Sequence, residues 1–107
     1  MARYLYYGNF VGDGLKGLVK EGGSARVAAI KKLCESVGGK LECYYFAFGE
    51  YDYFIIVDLP DNVSAASLSL TVNASGFVKN NTIVLMTPEE MDQTVKKSPK
   101  YRGPGQK

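Results

Sequence analysis

Histidine and tryptophan are absent from this chain of 107 residues, and cysteine occurs only twice. Losing histidine removes the commonest general base and the commonest nitrogen ligand, so hydrolase and zinc mechanisms are disfavoured, while carboxylate- or tyrosine-based chemistry survives. Cys34 and Cys43 lack CxxC spacing and are read as free thiols in a reducing compartment, not as metal ligands; no metal is expected. No apolar run approaches the ~20 residues of a membrane span, so no membrane partner is expected. A Walker-type loop is missing, and Gly8, Gly12 and Gly14 lack the parallel βαβ context of a dinucleotide fingerprint, so no cofactor is expected either. Met1-Ala2-Arg3 runs straight into a tyrosine-rich strand, which argues against a leader peptide and for a cytoplasmic location.

What is present is an ordinary globular composition, 46% hydrophobic and 22% charged, enough apolar surface to offset the entropy of ordering one domain. The net charge of +2 is unevenly spread. Five of the 13 basic residues (Lys96, Lys97, Lys100, Arg102 and Lys107) follow Thr94, leaving residues 1–94 with eight basic and 11 acidic groups. A nucleic-acid binder shows its basic footprint on the folded body. Here the body is mildly acidic, so no nucleic-acid partner is expected. Residues 1–98 read as a single domain, and 99–107 as a flexible, basic, solvated C-terminal tail.

Arg3 to Phe10, rich in tyrosine and without helical spacing, reads as the first strand, with Gly8 marking a bulge or a close backbone approach. Asp13 is a candidate cap for a short helix carrying Leu15, Leu18 and Val19 and closed by Gly22-Gly23. From Ser24 as N-cap, Val27, Ile30, Cys34 and Val37 recur at helical spacing until Gly38-Gly39, with Leu33 widening the stripe. Lys40 to Phe48 and Tyr53 to Leu59 then read as two strands joined by the turn Gly49-Glu50-Tyr51-Asp52. Asp61 caps a helix over about Asn62 to Ser75, whose apolar stripe is Val63, Ala66 and Leu70, widened by Ala65, Leu68 and Val72. Gly76 ends it. A last strand follows from about Phe77 to Met86, and Thr87-Pro88-Glu89-Glu90 starts a short terminal helix reaching about Lys97.

The order β-α-β-β-α-β with short, right-handed connections predicts an α+β fold, a ferredoxin-like sandwich with both main helices on one face of an antiparallel sheet and an extra short C-terminal helix. The central hairpin is apolar on both sides. With Phe48 opposite Tyr53, one face holds Tyr44, Phe46, Phe48, Tyr53, Ile55, Val57 and Leu59; the other holds Leu41, Cys43, Tyr45, Ala47, Phe54 and Ile56. Only Glu42 and Asp58 interrupt with charge, as ion-pair partners or at strand ends. A sheet with one wet face alternates apolar with polar. Helices shelter one face, leaving roughly 400 Å² of mostly apolar surface on the other. A second copy stacked sheet on sheet is the simplest cover, making the chain its own partner in a homodimer or higher homo-oligomer; the alternative is that the C-terminal helix folds back over the sheet.

Gly49-Glu50-Tyr51-Asp52, an apolar strand and then Leu59-Pro60-Asp61 resemble the GYD domain family. Gly14-Leu15-Lys16-Gly17-Leu18, Arg26 at the head of the long helix and Gly38-Gly39 at its end agree, so the resemblance spans roughly residues 4–86. The ending Tyr101-Arg102-Gly103-Pro104-Gly105 is similar to that of some members. The resemblance implies the dimeric α/β-barrel group and supplies no reaction. Lys79-Asn80-Asn81 interrupts the last strand with polarity, as suits a sheet edge.

The candidate ligand-binding residues are Tyr4, Tyr6, Arg26, Tyr51 and Asp52. Tyr4 and Tyr6 share a face of the first strand, and Tyr44 with Tyr53 a face beside it; such phenols can line a cavity for a planar organic molecule or pack a subunit interface. Tyr51 and Asp52 read as a polar pair at a cavity mouth or as turn structure, the turn being favoured. Arg26 can hold an anion near a helix N-terminus or pair with Asp52 or Glu50. The leading functional reading is a small homodimeric domain that binds a small organic molecule in a barrel or sheet–helix cleft. Its rivals are a cofactor-independent oxygenase, isomerase or cyclase acting on a small aromatic substrate, and a structural oligomerisation module. No catalytic residue is assigned.

Overall fold

The computed structural model describes residues 1–107. Eight elements follow in order: β1 (Ala2–Phe10), α1 (Asp13–Glu21), α2 (Gly23–Ser36), β2 (Lys40–Phe46), β3 (Tyr53–Leu59), α3 (Asn62–Ala74), β4 (Val78–Leu85) and α4 (Pro88–Lys97). The strands form one sheet in the order β2-β3-β1-β4, every neighbouring pair antiparallel. With α2 and α3 as the crossovers this is the ferredoxin-like arrangement, extended by α1 and α4. No helix is long and apolar enough to cross a membrane.

The core follows from strand parity. β1 pairs with β3 so that Tyr4 faces Val57, Tyr6 faces Ile55 and Gly8 faces Tyr53. These residues, with Phe10 and Leu59, lie buried under Cys34 of α2 and Ala65 and Leu68 of α3. The alternate residues, among them Leu5, Tyr7, Phe54, Ile56 and Ile83, occupy the other side of the sheet, which no helix covers. At one end of that side the charged interruptions are paired: Arg3 bonds Asp58 at 2.9 Å and approaches Glu42 at 3.8 Å, and Lys40 lies 3.5 Å from Glu42. Arg3 holds the Asp58 carboxyl below the usual range by hydrogen bonding to it.

Several local expectations are corrected. β2 stops at Phe46, which opposes Tyr53, while Phe48 projects wholly into solvent. The strand ends early because Ala47 N–H donates to the Asp52 carbonyl and Asp52 N–H donates to the Gly8 carbonyl, drawing the turn back onto β1. A bulge between Leu41 and Cys43 moves Leu41 to the helix side, opposite Val57. In α3 the stripe Val63, Ala66 and Leu70 points outward, Val63 and Leu70 being more than two-thirds exposed, whereas Ala65, Leu68 and Val72 turn inward. Both stripes have helical spacing, and the approach angle of α3 chose between them. Neither Asp13 nor Ser24 caps: each lies inside its helix, and Gly12 and Gly22 occupy the caps.

Other signals hold. Asp61 accepts from Ser64 N–H at 2.8 Å, and Thr87 with Glu90 forms a reciprocal capping box. β4 is an edge strand, and Asn73 of α3 blocks part of that edge by bonding both the N–H (2.7 Å) and the carbonyl (3.2 Å) of Asn80. The terminal helix does not fold back: every residue from Met86 to Arg102 is exposed, in a molecule 60 Å long and 32 by 22 Å across.

Glycine spacing in α1 reflects how closely that helix approaches the sheet. A Cβ on Gly14 would lie 1.9 Å from the Phe77 carbonyl oxygen, while one on Gly17 would meet nothing within 4 Å. Gly14→Ala is therefore expected to lower unfolding free energy by about 1–3 kcal/mol, and Gly17→Ala to raise it by ~0.5–1 kcal/mol through helix propensity. Urea denaturation checks both; a Gly14→Ala protein as stable as the parent would contradict the close approach of α1 to Phe77.

Candidate functional site

The helices do not close over the sheet. Between α1 and α2 on one side and α3 on the other lies a cleft of about 380 Å³ floored by the inward residues of the strands. Ile55 and Val57 form its floor, Leu18, Ile30 and Leu33 one wall, and Leu68 and Val72 the other. Gly17 lines it too, and its missing side chain is part of the space.

Four polar groups reach this apolar chamber from the strands. Tyr6 donates its hydroxyl proton to the Ala65 carbonyl. Tyr53 donates to Asn80 Oδ1 at 2.7 Å, and Asn80, buried to 9% exposure, passes its amide on to Thr82 at 3.2 Å. Tyr44 lies beside Tyr53, ring centroids 6.3 Å apart, and faces the cleft. Burial pushes the Tyr6 phenol up to about 12. It does the same to Tyr44, up to about 12, with Arg26 pulling that value part way back, and Tyr53 is raised still further by burial. All three are neutral at ordinary pH. They can donate and accept hydrogen bonds, but none is poised as a base.

Arg26, in the first turns of α2, is the single basic side chain on the cleft wall. Its guanidinium is 30% exposed and lies 3.9 Å from Glu21, the last residue of α1. The cleft's other carboxylate, Asp13, lies 3.9 Å from the exposed Lys16. No three of the Asp, Glu and Cys side chains converge as a metal-ligand group. Arrayed this way, the chamber can enclose an apolar body and offer hydrogen bonds and one positive charge at its rim.

The residues singled out from sequence separate into four places. Tyr6 and Arg26 meet on the cleft. Tyr4, 1% exposed, is buried outside it and donates to Asn62 Oδ1 at 2.6 Å at the start of α3. Tyr51 lies on the far side of the sheet, edge-on to Tyr7 with centroids 4.9 Å apart. Asp52 closes the hairpin onto β1, accepting the Phe10 N–H at 2.9 Å, and borders a smaller groove with Phe46 and Leu15. Arg26 pairs with Glu21, not with Asp52 or Glu50. Sequence reasoning placed Tyr44 and Tyr53 on one face without ranking them as site residues, and took Asn80 as edge polarity. Its inward direction follows from the strand register, which sets Asn80 opposite Gly8, two residues along from Tyr6.

A ferredoxin-like α+β chain with a cleft between sheet and helices is the class so defined. The model of the GYD domain family matches residues 4–95, and the chain belongs to that family. Neither the curated proteins nor the solved structures gave a match.

Two outcomes follow. Tyr6 and Tyr44 release their protons in the unfolded chain near pH ~10 but in the folded one only at about 12, so the stability present below pH ~10 declines as pH rises from there through about 12. Urea midpoints measured at about pH 8 and about pH 11 should fall, and Tyr44→Phe should show a shallower fall; an unchanged slope would mean Tyr44 is not buried as described. Asp52→Ala should cost about 1–3 kcal/mol by leaving the Phe10 N–H without its acceptor, again read by denaturation.

Proposed function

We propose that this chain is a small-molecule-binding domain whose site is the sheet–helix cleft, and that it works as a homodimer joined through the opposite face of the sheet. The observation that carries the binding reading is the cleft itself: about 380 Å³ of mostly apolar space left open in a domain of 107 residues. Close packing is the rule in protein interiors, and ligand sites typically span about 300–1,000 Å³ with a few convergent polar groups. The tyrosines are held along the strands and do not fill it. An enzyme of the general acid–base type would need a group tuned toward neutral pH. The cleft phenols are shifted the other way, and its two carboxylates each face a cation. That balance favours binding over catalysis.

Surface area supports the partner. The chain exposes 7619 Å², whereas a compact monomer of 11.7 kDa exposes about 5,900 Å². The excess comes from the projecting arm and from a sheet face that carries Leu5, Tyr7, Phe54, Ile56 and Ile83 uncovered. A standard interface removes about 800 Å² from each partner, which this face and the arm together can supply.

Each half has its own test. Phenylnaphthylamine, a neutral dye that brightens in apolar pockets, should bind the parent protein saturably and fail to bind Gly17→Phe, whose ring would occupy the cleft; equal brightening by both would place the dye elsewhere and defeat the cleft reading. Light scattering should give twice 11.7 kDa for the parent and the single-chain mass for Phe54→Glu. A parent protein that stays a lone protomer at micromolar concentration would remove the dimer.

A further inference from the structure

A count of donors and acceptors around the cleft shows which polar groups are already committed. The Tyr6 hydroxyl gives its proton to the Ala65 carbonyl, and Tyr53, Asn80 and Thr82 form a closed relay. Two groups are left over. Arg26 has five N–H donors and one carboxylate neighbour, Glu21 at 3.9 Å, beyond hydrogen-bond length. Tyr44, beside it, keeps its proton, with Arg26 near its hydroxyl and the Tyr53 ring 6.3 Å away. No buried side-chain polar atom lacks a partner, so these spare donors have access to solvent, and both residues line the cleft.

Both leftovers can donate, and the one carboxylate beside Arg26, that of Glu21, lies too far away for a hydrogen bond. A neutral hydrocarbon would leave the guanidinium no better satisfied, and a cationic ligand would be repelled by it. A planar guanidinium instead matches the two oxygens of a carboxylate with paired, charge-assisted bonds of about 2.7–2.9 Å. Asp13 and Glu21 line the cleft as well, so its single cation has no surplus for a second negative charge, and a carboxylate fits better than a phosphate dianion. Behind that point the walls are Leu18, Ile30, Ile55 and Val72, and the volume of about 380 Å³ holds roughly a dozen water-sized groups at ~30 Å³ each.

We propose that the ligand of this cleft is an organic acid, a flat apolar body carrying one carboxylate that docks on Arg26 and Tyr44 and displaces Glu21 from the guanidinium. The proposal rests on the cleft being a binding site and adds the chemical class of what it binds. Glu21, half exposed at the end of α1, serves as a stand-in that keeps Arg26 neutralised until the ligand arrives.

The experiment compares naphthoate with naphthamide, of the same shape and uncharged, each titrated against bound phenylnaphthylamine. The parent protein should bind naphthoate about tenfold or more tightly. Arg26→Met should erase that preference while changing naphthamide by less than about twofold, and Arg26→Lys should restore part of it. Glu21→Gln, which frees the guanidinium, should tighten naphthoate severalfold and leave naphthamide alone. Circular dichroism checks that each variant folds. Equal binding of the two compounds by the parent, or naphthoate binding indifferent to both Arg26→Met and Glu21→Gln, overturns the proposal. If the dye binds and the acid is not preferred, the ligand class is wrong and the cleft remains a site. If the dye does not bind at all, both fall together.

Discussion

The antiparallel register of β1 with β3 sets Tyr6 opposite Ile55 and Gly8 opposite Tyr53. A slip of one residue would exchange the two faces of a strand, sending Tyr4, Tyr6 and Phe10 to the open side and Leu5 and Tyr7 beneath the helices. Both sets are apolar, so hydrophobicity alone penalises that slip weakly. What pins the register is polar. Asp52 accepts from the Phe10 N–H and donates its own N–H to the Gly8 carbonyl, and at the far end of the same strands Arg3 bonds Asp58. Two tethers, one at each end of the pair, hold a choice that the side chains between them leave nearly balanced.

The cleft depends on that register. Tyr6, Tyr44 and Tyr53 all point to the helix side, where each is longer than the aliphatic residue a closely packed sheet–helix interface would use. Tyr6 reaches α3 through the Ala65 carbonyl while Tyr53 is held on β4 by Asn80, and α1 comes close to Phe77 at Gly14 but leaves open space at Gly17. Large residues on the strands and missing ones on the helix together leave a space that neither set would make alone. Asn80 then matters as an anchor. By accepting from Tyr53 it fixes that ring, and by pairing its backbone with Asn73 it ties β4 to α3 at the edge of the sheet.

Much of this was legible in the sequence because the signals were local. The order of elements, the Asp61 cap, the Thr87–Glu90 capping box and the two-sided apolar character of the central hairpin each depend on residues a few positions apart. Where a decision rested on distant contacts, spacing could not make it. α3 carries two apolar stripes of equal quality, and only its docking angle turned Ala65 and Leu68 inward and Val63 and Leu70 outward. Leu41 changed sides through a bulge that no residue type announces. Arg26 found Glu21 across a helix–helix turn, five residues back, when more distant acids looked as available. The cleft residues were half visible: alternation put Tyr44 and Tyr53 on one shared face beside that of Tyr4 and Tyr6, but an open volume is set by how far helices stand apart, and nothing in a one-dimensional pattern records that distance.

The two faces of the sheet end with different arrangements of charge although their composition is alike. On the helix side, apolar residues are buried by the chain itself and the spare polar groups are donors gathered at one rim. On the other side, apolar residues are left uncovered and the charges are already paired with one another, Arg3 and Lys40 with Asp58 and Glu42. A surface whose charges are mutually satisfied can be covered by a partner without stranding an ion, and so suits contact with another copy. On the cleft side Arg26 faces Glu21 at 3.9 Å, too far for a hydrogen bond, so its donors stay open to a ligand that brings a carboxylate. The arrangement of charge, more than the distribution of apolar residues, separates the face proposed to bind from the face proposed to assemble.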